Sequence, residues 1–458
     1  MEKENSYLCE ELAHFISDIT FEEIPEYVVE KAKMCILDTL GTALLGSQTE
    51  AARKLNKVIQ SLGLPNECTV IGACYKTSRL YAAYVNSMEA AYLDFDDGHR
   101  ESGIHPGCII IPTALTLGEY LNASGEQILE SVILGYEVAI RVGVATGMAQ
   151  FKRRIDAPST CGVFGAATAA GKLLGLNEHE LANALAIAGS QTPLSPSIWY
   201  YEPSMVKSLP HALASKVGIL SAMLAKEGFL GPLGILEGRG GFCEATCLPE
   251  KYQLEKITEE LGRKWRIMEV YFKFYPSCRW CHSAVDATFN ILHTQRIKPD
   301  DIVEITVKTY PTAAQLSLNE PKDDTTARLS IPYNVVAAIV YGELGVDQFN
   351  IDAINNPIVL QLARKVSVVA DESFKDKYPS ARPTTVEIKL KNGSKYSSHV
   401  DFPYGEPENP PSAEQVRYKF VKWVGKYLSQ EKIQKIIENV ENLDKLKNIK
   451  QLIDLLYI

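Results

Sequence analysis

Residues 162–176 read GVFGAATAAGKLLGL, a stretch dominated by alanine and glycine without strand-like alternation. Side chains this small allow neighbouring helices to approach closely, so the stretch predicts a compact helical core. Outward from it, residues 80–265 are almost wholly helical in pattern and rich in Ala, Leu and Gly. Pro25 and the spacing of the apolar residues predict a further helix over 25–46 that ends at Gly46.

The pattern changes after about residue 268. Residues 301–309 (DIVEITVKT) and 384–390 (TTVEIKL) alternate apolar and polar residues, as half-buried strands do. Asn392-Gly393 follows the second of these runs and is a strong hairpin signal. Two helical stretches, around 330–342 and 353–365, lie between the runs, so this part of the chain is predicted to be α+β.

The chain becomes helical again from residue 412, where Ser412 and Gln415 fit a capping box, and an apolar stripe runs over 430–457. The Pro-rich segment 404–411 (YGEPENPP) is the natural return linker. The prediction is therefore a mostly α protein in which a large all-helical domain is interrupted by a smaller α+β lid domain. The domain boundaries are 1–268 for the first helical part, 269–403 for the lid and 404–458 for the helical return.

Composition excludes several classes of function. The 458 residues carry a net charge of −9 and are 46% hydrophobic, which excludes disorder for the bulk of the chain. No long basic run stands out before the C-terminal region, which argues against nucleic acid as the main partner. The N-terminus lacks a signal-peptide pattern and no segment reaches 18 uncharged apolar residues. We therefore expect a soluble cytoplasmic protein, not bound to membranes, whose ten cysteines are reduced.

Residues 93–107 (LDFDDGHRESGIHPG) concentrate titratable groups in a loop punctuated by glycine. Close carboxylates raise one another's pKa, and a nearby histidine titrates near neutrality, so the loop suits proton transfer. The alternative is a solvated loop whose aspartates cap helices. An EF-hand calcium site is disfavoured, because Gly98 and His105 occupy the fifth and twelfth positions of that pattern.

Residues 273–286 (KFYPSCRWCHSAVD) contain Cys278-x-x-Cys281-His282, which formally matches the haem attachment motif of c-type cytochromes. Haem attachment normally accompanies export, for which there is no signal, so this interpretation is rejected. A zinc site lacks a second Cys/His pair at suitable spacing, and a thioredoxin-like site lacks its βαβ context. The remaining hypothesis is that Lys273, Tyr275 and His282 have a functional role and that the cysteines are packing residues.

Two further segments bear on ligands. Lys207 precedes a predicted helix that carries His211, and a cation at a helix N-terminus attracts carboxylates, although an exposed lysine is the alternative. Residues 228–242 (GFLGPLGILEGRGGF) are glycine-rich but match neither nucleotide-binding pattern and follow no strand. Nucleotide binding is therefore unsupported.

Taken in order, these motifs resemble the MmgE/PrpD family, which includes 2-methylcitrate dehydratase, cis-aconitate decarboxylase and iminodisuccinate epimerase. The resemblance covers nearly the whole chain. It is carried by residues 36–46 (ILDTLGTALLG), 93–97 with 105–107 (HPG), 162–175, 207–209 (KSL), 236–242 (LEGRGGF), 273–286, 330–333 (SIPY) and 405–410 (GEPENP).

The resemblance implies a large helical domain, an α+β lid, a homodimer, and a pocket between the domains without cofactor or metal. By motif match it implies five catalytic residues, which are Asp94, His105, Lys207, Lys273 and Tyr333. The candidate substrate-binding residues are Asp156, His99, His211 and His282.

The sequence departs from the family pattern at three positions. Gly98 stands where a threonine is usual, and Pro210 replaces the histidine that usually follows the motif lysine, with His211 beside it. Asp156 stands in place of the histidine of a His-Pro-Thr segment, so a group that can bind a carboxylate has become one that repels it. We expect Asp156 to pair with a cation such as Lys207, Arg153 or Arg154, or to face a substrate group that is not a carboxylate.

The family resemblance implies a cofactor-free lyase that removes a proton next to the carboxylate of a small acid, with dehydration of a hydroxy-di- or tricarboxylate as the leading hypothesis. An epimerase of the iminodisuccinate type comes second, a decarboxylase third, and a catalytically silent dimeric binding protein is the alternative of another class. His105 is the expected base, oriented by Asp94. Lys207 and Lys273 would stabilise the developing charge, with the larger effect expected for Lys273. Tyr333 or Asp156 would return a proton or help to expel hydroxide.

Overall fold

The computed structural model describes residues 6–198, 202 and 204–458. It is 58% helical and 8% strand, so the mostly α fold with a smaller α+β portion is confirmed. The α-helices are α1 Leu8–Asp18, α2 Glu26–Gly46, α3 Glu50–Ser61, α4 Arg79–Tyr92, α5 Gly107–Leu121, α6 Gly125–Lys152, α7 Ala157–Leu174, α8 Glu178–Ser190, α9 Leu209–Lys226, α10 Phe242–Cys247, α11 Glu255–Thr258, α12 Arg279–Thr294, α13 Pro311–Ala314, α14 Asp324–Arg328, α15 Ile331–Tyr341, α16 Ile351–Ile354, α17 Pro357–Ala363, α18 Ala413–Val424, α19 Gln430–Glu441 and α20 Lys450–Ile453.

The predicted close packing of small residues is found around α7, which lies against α6 and α9. A Cβ atom built on Gly135 of α6 would lie 2.9 Å from the carbonyl oxygen of Gly165 in α7. One built on Gly165 would lie 2.5 Å from the carbonyl oxygen of Gly135. Because the two backbones approach this closely, only glycine fits at both positions.

The strands are β1 Cys68–Thr69, β2 Lys76–Thr77, β3 Gly98–His99, β4 Val270–Tyr271, β5 Ile302–Thr309, β6 Val366–Ala370, β7 Thr384–Leu390 and β8 Lys395–Val400. The last four form one sheet in the order β6-β5-β7-β8. β5 runs parallel to β6 and antiparallel to β7, and β7 and β8 form the predicted hairpin around Asn392-Gly393. α12 and α15 cover this sheet region.

Two hydrophobic clusters divide the interior. The larger cluster contains the helices before residue 272 together with the C-terminal helices, and the smaller contains buried residues between Cys278 and Leu390. α18 returns onto α2, where the ammonium of Lys419 lies 2.7 Å from the carboxylate of Asp38. We call the first cluster with its helices the helical portion and the second the α+β portion. The domain boundaries at 268 and 403 stay predictions.

Several local expectations were wrong. The stretch 227–265 is not continuously helical, because positive-φ glycines such as Gly228 and Gly240 interrupt it and only the short α10 and α11 remain. The stripe over 430–457 is split into α19 and α20. The sequence did not predict β6, which follows two helical stretches. It also did not predict the pairs β1–β2 and β3–β4, whose two-residue strands are too short to show an alternation of apolar and polar residues. None of the described helices is long and apolar enough to cross a bilayer.

Candidate active site

A cleft that is partly open to solvent lies between the helical portion and the α+β portion. We call its two sides the helical wall and the α+β wall. The charged and ionisable residues of the helical wall are Asp94, Arg100, His105, Asp156 and Lys207. The α+β wall contains Arg279, Trp280, Tyr378 and Arg382. Three of the five predicted catalytic residues and one predicted substrate-binding residue therefore share one cleft.

The loop that carries Asp94 and His105 follows α4 and is fixed at both ends. Asp94 has a positive φ of 52°, an uncommon conformation for a residue with a side chain. Further along, β3 pairs with β4, where Gly98 lies opposite Tyr271. The buried carboxylate of Asp97 accepts hydrogen bonds from the amide of Gly107 at 2.9 Å and the hydroxyl of Tyr136 at 2.7 Å. The loop is therefore built into the core, and the solvated-loop alternative does not hold.

Asp94 is held between two ammonium groups. Its Oδ2 lies 2.6 Å from Nζ of Lys207, and its Oδ1 lies 2.5 Å from Nζ of Lys273. Burial alone would raise the pKa of Asp94, but Lys207, Lys273 and His105 hold it well below its ordinary value. Asp94 is thus a carboxylate that positions cations, and it is not available as a base near neutral pH.

The two lysines do not have equivalent positions. Lys207 lines the cleft and its side chain is 17% exposed. Lys273 is fully buried, is not among the residues that line the cleft, and lies 3.6 Å from Asp96 in addition to its contact with Asp94. Burial lowers the pKa of Lys273, but Asp94 and Asp96 outweigh burial and raise it. Lys207 is therefore the ammonium group that a bound anion can reach.

His105 is oriented by the same loop. Its Nδ1 lies 2.8 Å from the carbonyl oxygen of Asp97, and since a carbonyl only accepts, Nδ1 carries the proton. Oδ2 of Asp96 lies 3.2 Å from the same nitrogen. Within the part of the chain that the structure describes, Nε2 has no hydrogen bond, and the side chain is 18% exposed on the cleft. This nitrogen is free to take up a proton from a ligand.

Asp156 is the N-cap of α7 and lies in the cleft. Its Oδ2 accepts a hydrogen bond from the amide of Ser159 and lies 3.5 Å from Nε2 of His211. Burial opposes ionisation, yet His211 and Ser159 lower the pKa of Asp156. The expected partners were wrong: His211 takes the place of Lys207 and of Arg153, whose guanidinium donates to the carbonyl of Ala245.

His211 lies behind Asp156 and beside the proposed base. Its ring stacks on that of His105 with centroids 6.2 Å apart, and it is nearly fully buried. Nε2 of His211 and Oδ2 of Asp156 thus form a carboxylate–imidazole contact beside the cleft. The Asp-x-Pro-Ser pattern at 156–159 is a helix-start signal that sequence reasoning could have used to place Asp156 at the start of α7.

Five predicted site residues do not line the cleft, namely Lys273 and His211, described above, and Tyr333, His99 and His282. The hydroxyl of Tyr333 donates to the carbonyl of Gln348, and its ring packs inside the α+β portion. The two ring nitrogens of His99 are taken by Ser102 and Glu269 at 2.9 and 3.0 Å. These contacts occupy the hydrogen-bonding atoms of both side chains. Neither Tyr333 nor His99 is therefore placed to contact a ligand in this cleft.

His282 is buried behind the α+β wall. Its Nδ1 accepts a hydrogen bond from Arg279, which has only donors, so Nε2 carries the proton and donates to the carbonyl of Ser277 at 3.2 Å. Burial, together with the charges of Arg279 and Lys273, lowers the pKa of His282 well below its ordinary value. His282 is therefore a neutral support for Arg279.

Sequence reasoning missed an arginine cluster. Arg100, Arg279 and Arg382 all line the cleft, and each contacts the buried carboxylate of Glu406 at 2.7–3.2 Å. Glu406 belongs to the Pro-rich segment that we had interpreted only as a linker. Since the four residues are far apart in the chain, no local spacing could have linked them.

Among the described residues, one group of side chains has the spacing to bind a metal ion, and it consists of Asp94, Asp96 and His105. Its ligand atoms lie within 4.8 Å of one another. The ammonium of Lys273 already contacts both carboxylates, and Lys207 contacts Asp94, so a cation would be repelled there. The donor set therefore does not fit a metal, and it fits an anion better.

The cleft presents lysine, arginine and an oriented imidazole, a set of groups that can bind an anion and accept a proton. Comparison with known proteins gives the family. Residues 10–255 match the MmgE/PrpD N-terminal domain and residues 275–445 match the MmgE/PrpD C-terminal domain, so the chain belongs to the MmgE/PrpD family.

The similar proteins have two kinds of activity in their names. The chain is 27% identical over 453 residues to a cis-aconitate decarboxylase of Aspergillus terreus, covering 94% of this chain and 92% of that protein. It is 28% identical over 447 residues to the cis-aconitate decarboxylase of Homo sapiens, covering 94% and 90%. A mitochondrial 2-methylcitrate dehydratase of Yarrowia lipolytica is 23% identical over 460 residues, covering 94% and 86%.

Proposed function

We propose that the protein is a cofactor-independent lyase that removes a proton next to a carboxylate of a small polycarboxylic acid. The observation that carries this proposal is the helical wall, where the free Nε2 of His105 and the ammonium of Lys207 face one cleft. A base next to a cation is the pair that such a proton removal requires. The catalytically silent alternative offers no physical reason for this pairing.

In the first step Nε2 of His105 takes the proton as the C–H bond breaks. The electron pair moves into the adjacent carboxylate, which becomes a dianion, and Lys207 stabilises the added charge. Lys273 holds Asp94, and Asp94 in turn holds Lys207, so these two residues position the ammonium that the substrate meets.

Dehydration is the reaction that the site supports best. In the second step the electron pair forms a C=C bond as the C–O bond breaks, and the leaving hydroxide needs a proton to depart as water. Asp156 lines the cleft, with His211 buried behind it and 3.5 Å away, so a proton shared by this pair can reach the leaving hydroxide through Asp156. The three groups then have distinct roles: His105 as base, Lys207 as electrostatic stabiliser, and Asp156 with His211 as acid.

Decarboxylation is the second candidate, and the names of the relatives favour it. The cis-aconitate decarboxylases are 27–28% identical to this chain, compared with 23% for the dehydratase. In that reaction the C–C bond to one carboxylate breaks, CO₂ leaves with no electron pair, and the remaining carbanion takes up a proton. The same cation would stabilise the carbanion, and His105 or His211, protonated beforehand from solvent, would donate the proton that it takes up.

Product analysis decides between the two. Purified protein is incubated with 2-methylcitrate, citrate and cis-aconitate, and the products are followed by proton NMR and by CO₂ release. Dehydration gives an alkene from a hydroxy acid without CO₂, whereas decarboxylation gives CO₂ from cis-aconitate in equal amount to the acid formed. Absence of both, with no exchange of substrate protons in heavy water, would contradict the lyase proposal. Exchange with neither product would favour the epimerase.

The homodimer and the cytoplasmic location stay predictions. We include them in the proposal because the family resemblance implies the first and the chain's composition favours the second. Sedimentation of the purified protein tests the dimer directly.

A further inference from the structure

The α+β wall contains more positive charge than its internal contacts need. Glu406 is completely buried, and a single guanidinium would neutralise it. Three arginines surround it, and Arg100 also contacts Glu408 at 2.6 Å. The guanidinium groups of Arg279 and Arg382, with that of Arg100 from the opposite loop, therefore face two carboxylates, so among the described residues this cluster carries one positive charge more than its own carboxylates neutralise.

The three arginines differ in how much of their hydrogen-bonding capacity is used. Arg279 is nearly saturated: its guanidinium donates to Glu406, to His282 and to the carbonyl oxygens of Tyr404 and Pro403. Arg279 is thus committed to holding the 403–406 segment in place. It also supplies the charge that Glu406 requires.

Arg382 has donors to spare. Within the part of the chain that the structure describes, its guanidinium makes one hydrogen bond, from Nη1 to Oε1 of Glu406 at 2.7 Å. Its Nε is buried without a hydrogen-bond partner, although the residue is only 4% exposed. A buried donor left unpaired is costly unless something occupies it.

The backbone of Arg382 is firmly placed just before β7. Its amide donates to the carbonyl of Asp401 at 2.9 Å, and its own carbonyl accepts from the hydroxyl of Ser283 at 2.6 Å. The guanidinium lies over the ring of Tyr271, 5.4 Å from the centroid. Arg382 is therefore pre-oriented on a rigid element, which is what a binding group needs to gain affinity.

We propose that Arg382 binds one carboxylate of the substrate from the α+β wall, while a second carboxylate lies beside Lys207 on the helical wall. This inference rests on the proposed lyase function and deepens it by assigning the residue that recognises a second carboxylate of the polycarboxylic acid. The planar guanidinium suits a carboxylate because two parallel N–H donors match its two oxygens. Arg382 acts in substrate binding, and the proton transfer stays with His105.

The test is a calorimetric titration of the full chain with two probes, tricarballylate and butyrate. Tricarballylate carries three carboxylates and butyrate carries one, and neither has a leaving group. Arg382→Gln should weaken tricarballylate binding about 10- to 100-fold, because a charge-assisted pair is lost. It should leave butyrate binding unchanged. Arg364→Gln is the matched control, since Arg364 lies in the same portion, is exposed and pairs only with Glu320 among the described residues.

Arg382→Lys guards against a folding defect. It keeps the positive charge beside Glu406 but cannot form the bidentate hydrogen bonds of a guanidinium. We therefore expect the melting temperature of the wild type and tricarballylate binding that is about 3- to 10-fold weaker. Wild-type affinity for tricarballylate in either Arg382 variant overturns the inference and leaves the proposed lyase intact, because proton exchange through His105 would be unaffected. Failure of the wild-type protein to bind or exchange any carboxylic acid removes the lyase proposal, and this inference with it.

Discussion

The two walls of the cleft are built in different ways. The helical wall gathers Asp94 and His105 from one loop of 12 residues, and Lys207 joins them from the start of α9. The α+β wall takes Arg279 and Arg382 from elements about a hundred residues apart and ties them to Glu406. In our proposal the first wall carries the groups that move protons and the second carries fixed charge. Only the Asp94–His105 part of the site is local in sequence, whereas Lys207 and the arginine cluster reach the cleft through the fold.

The largest expected effect separates the two lysines of the helical wall. Lys207→Ala should lower turnover about 10²–10³-fold, since it removes the ammonium that reaches the substrate. Lys273→Ala should instead lower stability by about 3–5 kcal/mol, because Asp94 would lose a buried partner. Turnover and urea unfolding are measured for both. From the geometry we therefore expect the opposite order of turnover effects from the one that the sequence suggested.

Lys226→Ala, at the exposed C-terminal end of α9, is the control for the loss of a lysine, because Lys207 lies just before the other end of that helix. A Lys273→Ala variant that unfolds normally but loses more turnover than Lys207→Ala would contradict this division of roles.

Asp156 tests whether the helical wall also selects the substrate. Asp156→His reverses the sign of the charge that this position can carry, so it should weaken the native reaction about 10-fold and strengthen binding of citrate-like acids. It should also cost about 1 kcal/mol of stability, because the N-cap of α7 is altered. Asp156→Asn keeps the cap and removes the charge. If KM values for a panel of acids keep their order in Asp156→His, the residue is only a helix cap.

A smaller effect concerns pH and the loop beneath His105. Burial, with the charges of Asp96 and Asp38, raises the pKa of Asp97 from 3.8 to about 7 despite the hydrogen bond from Tyr136. The folded chain therefore binds a proton that the unfolded chain releases, and stability falls as pH rises from about 4 to 7. Relative to Asp97→Asn, the wild type should lose about 1.4 kcal/mol of unfolding free energy per pH unit between pH 5 and 7.

Urea unfolding at pH 5, 6, 7 and 8 checks this. The contributions of Asp94 and Asp96, whose pKa values are lowered, are lost only in acid and are common to both proteins. Parallel curves for the two proteins would show that Asp97 is ionised throughout.

The smallest expected effect concerns metal removal, which should not change turnover. Lys207 and Lys273 already neutralise the carboxylates of the helical wall, so dialysis against EDTA should leave turnover unchanged. Stoichiometric zinc or iron that is lost together with activity would contradict this and would direct attention to the Asp94–Asp96–His105 group.

Prediction from the sequence succeeded where a signal was local. The small-residue helix, the hairpin at Asn392-Gly393 and the acidic loop are each recognisable from about 15 consecutive residues, and the structure contains all three. The motif resemblance added Lys207, which no spacing could have joined to that loop. The resemblance also gave Tyr333 as a catalytic residue. The hydroxyl of Tyr333 instead contacts the carbonyl of Gln348 inside the packed α+β portion, and the sequence alone does not predict that contact. The arginine cluster was missed because its members meet only after the chain folds.

The central claim is that His105 removes a substrate proton, and deuterium incorporation tests it most directly. Wild-type protein and His105→Gln, which keeps a hydrogen-bonding side chain, are incubated in heavy water with 2-methylcitrate, citrate and cis-aconitate, and deuterium in recovered acid and product is measured by NMR. The wild type should introduce deuterium next to a carboxylate, and His105→Gln should do so at least 100-fold more slowly with an unchanged melting temperature. Equal incorporation by the two proteins would contradict the account.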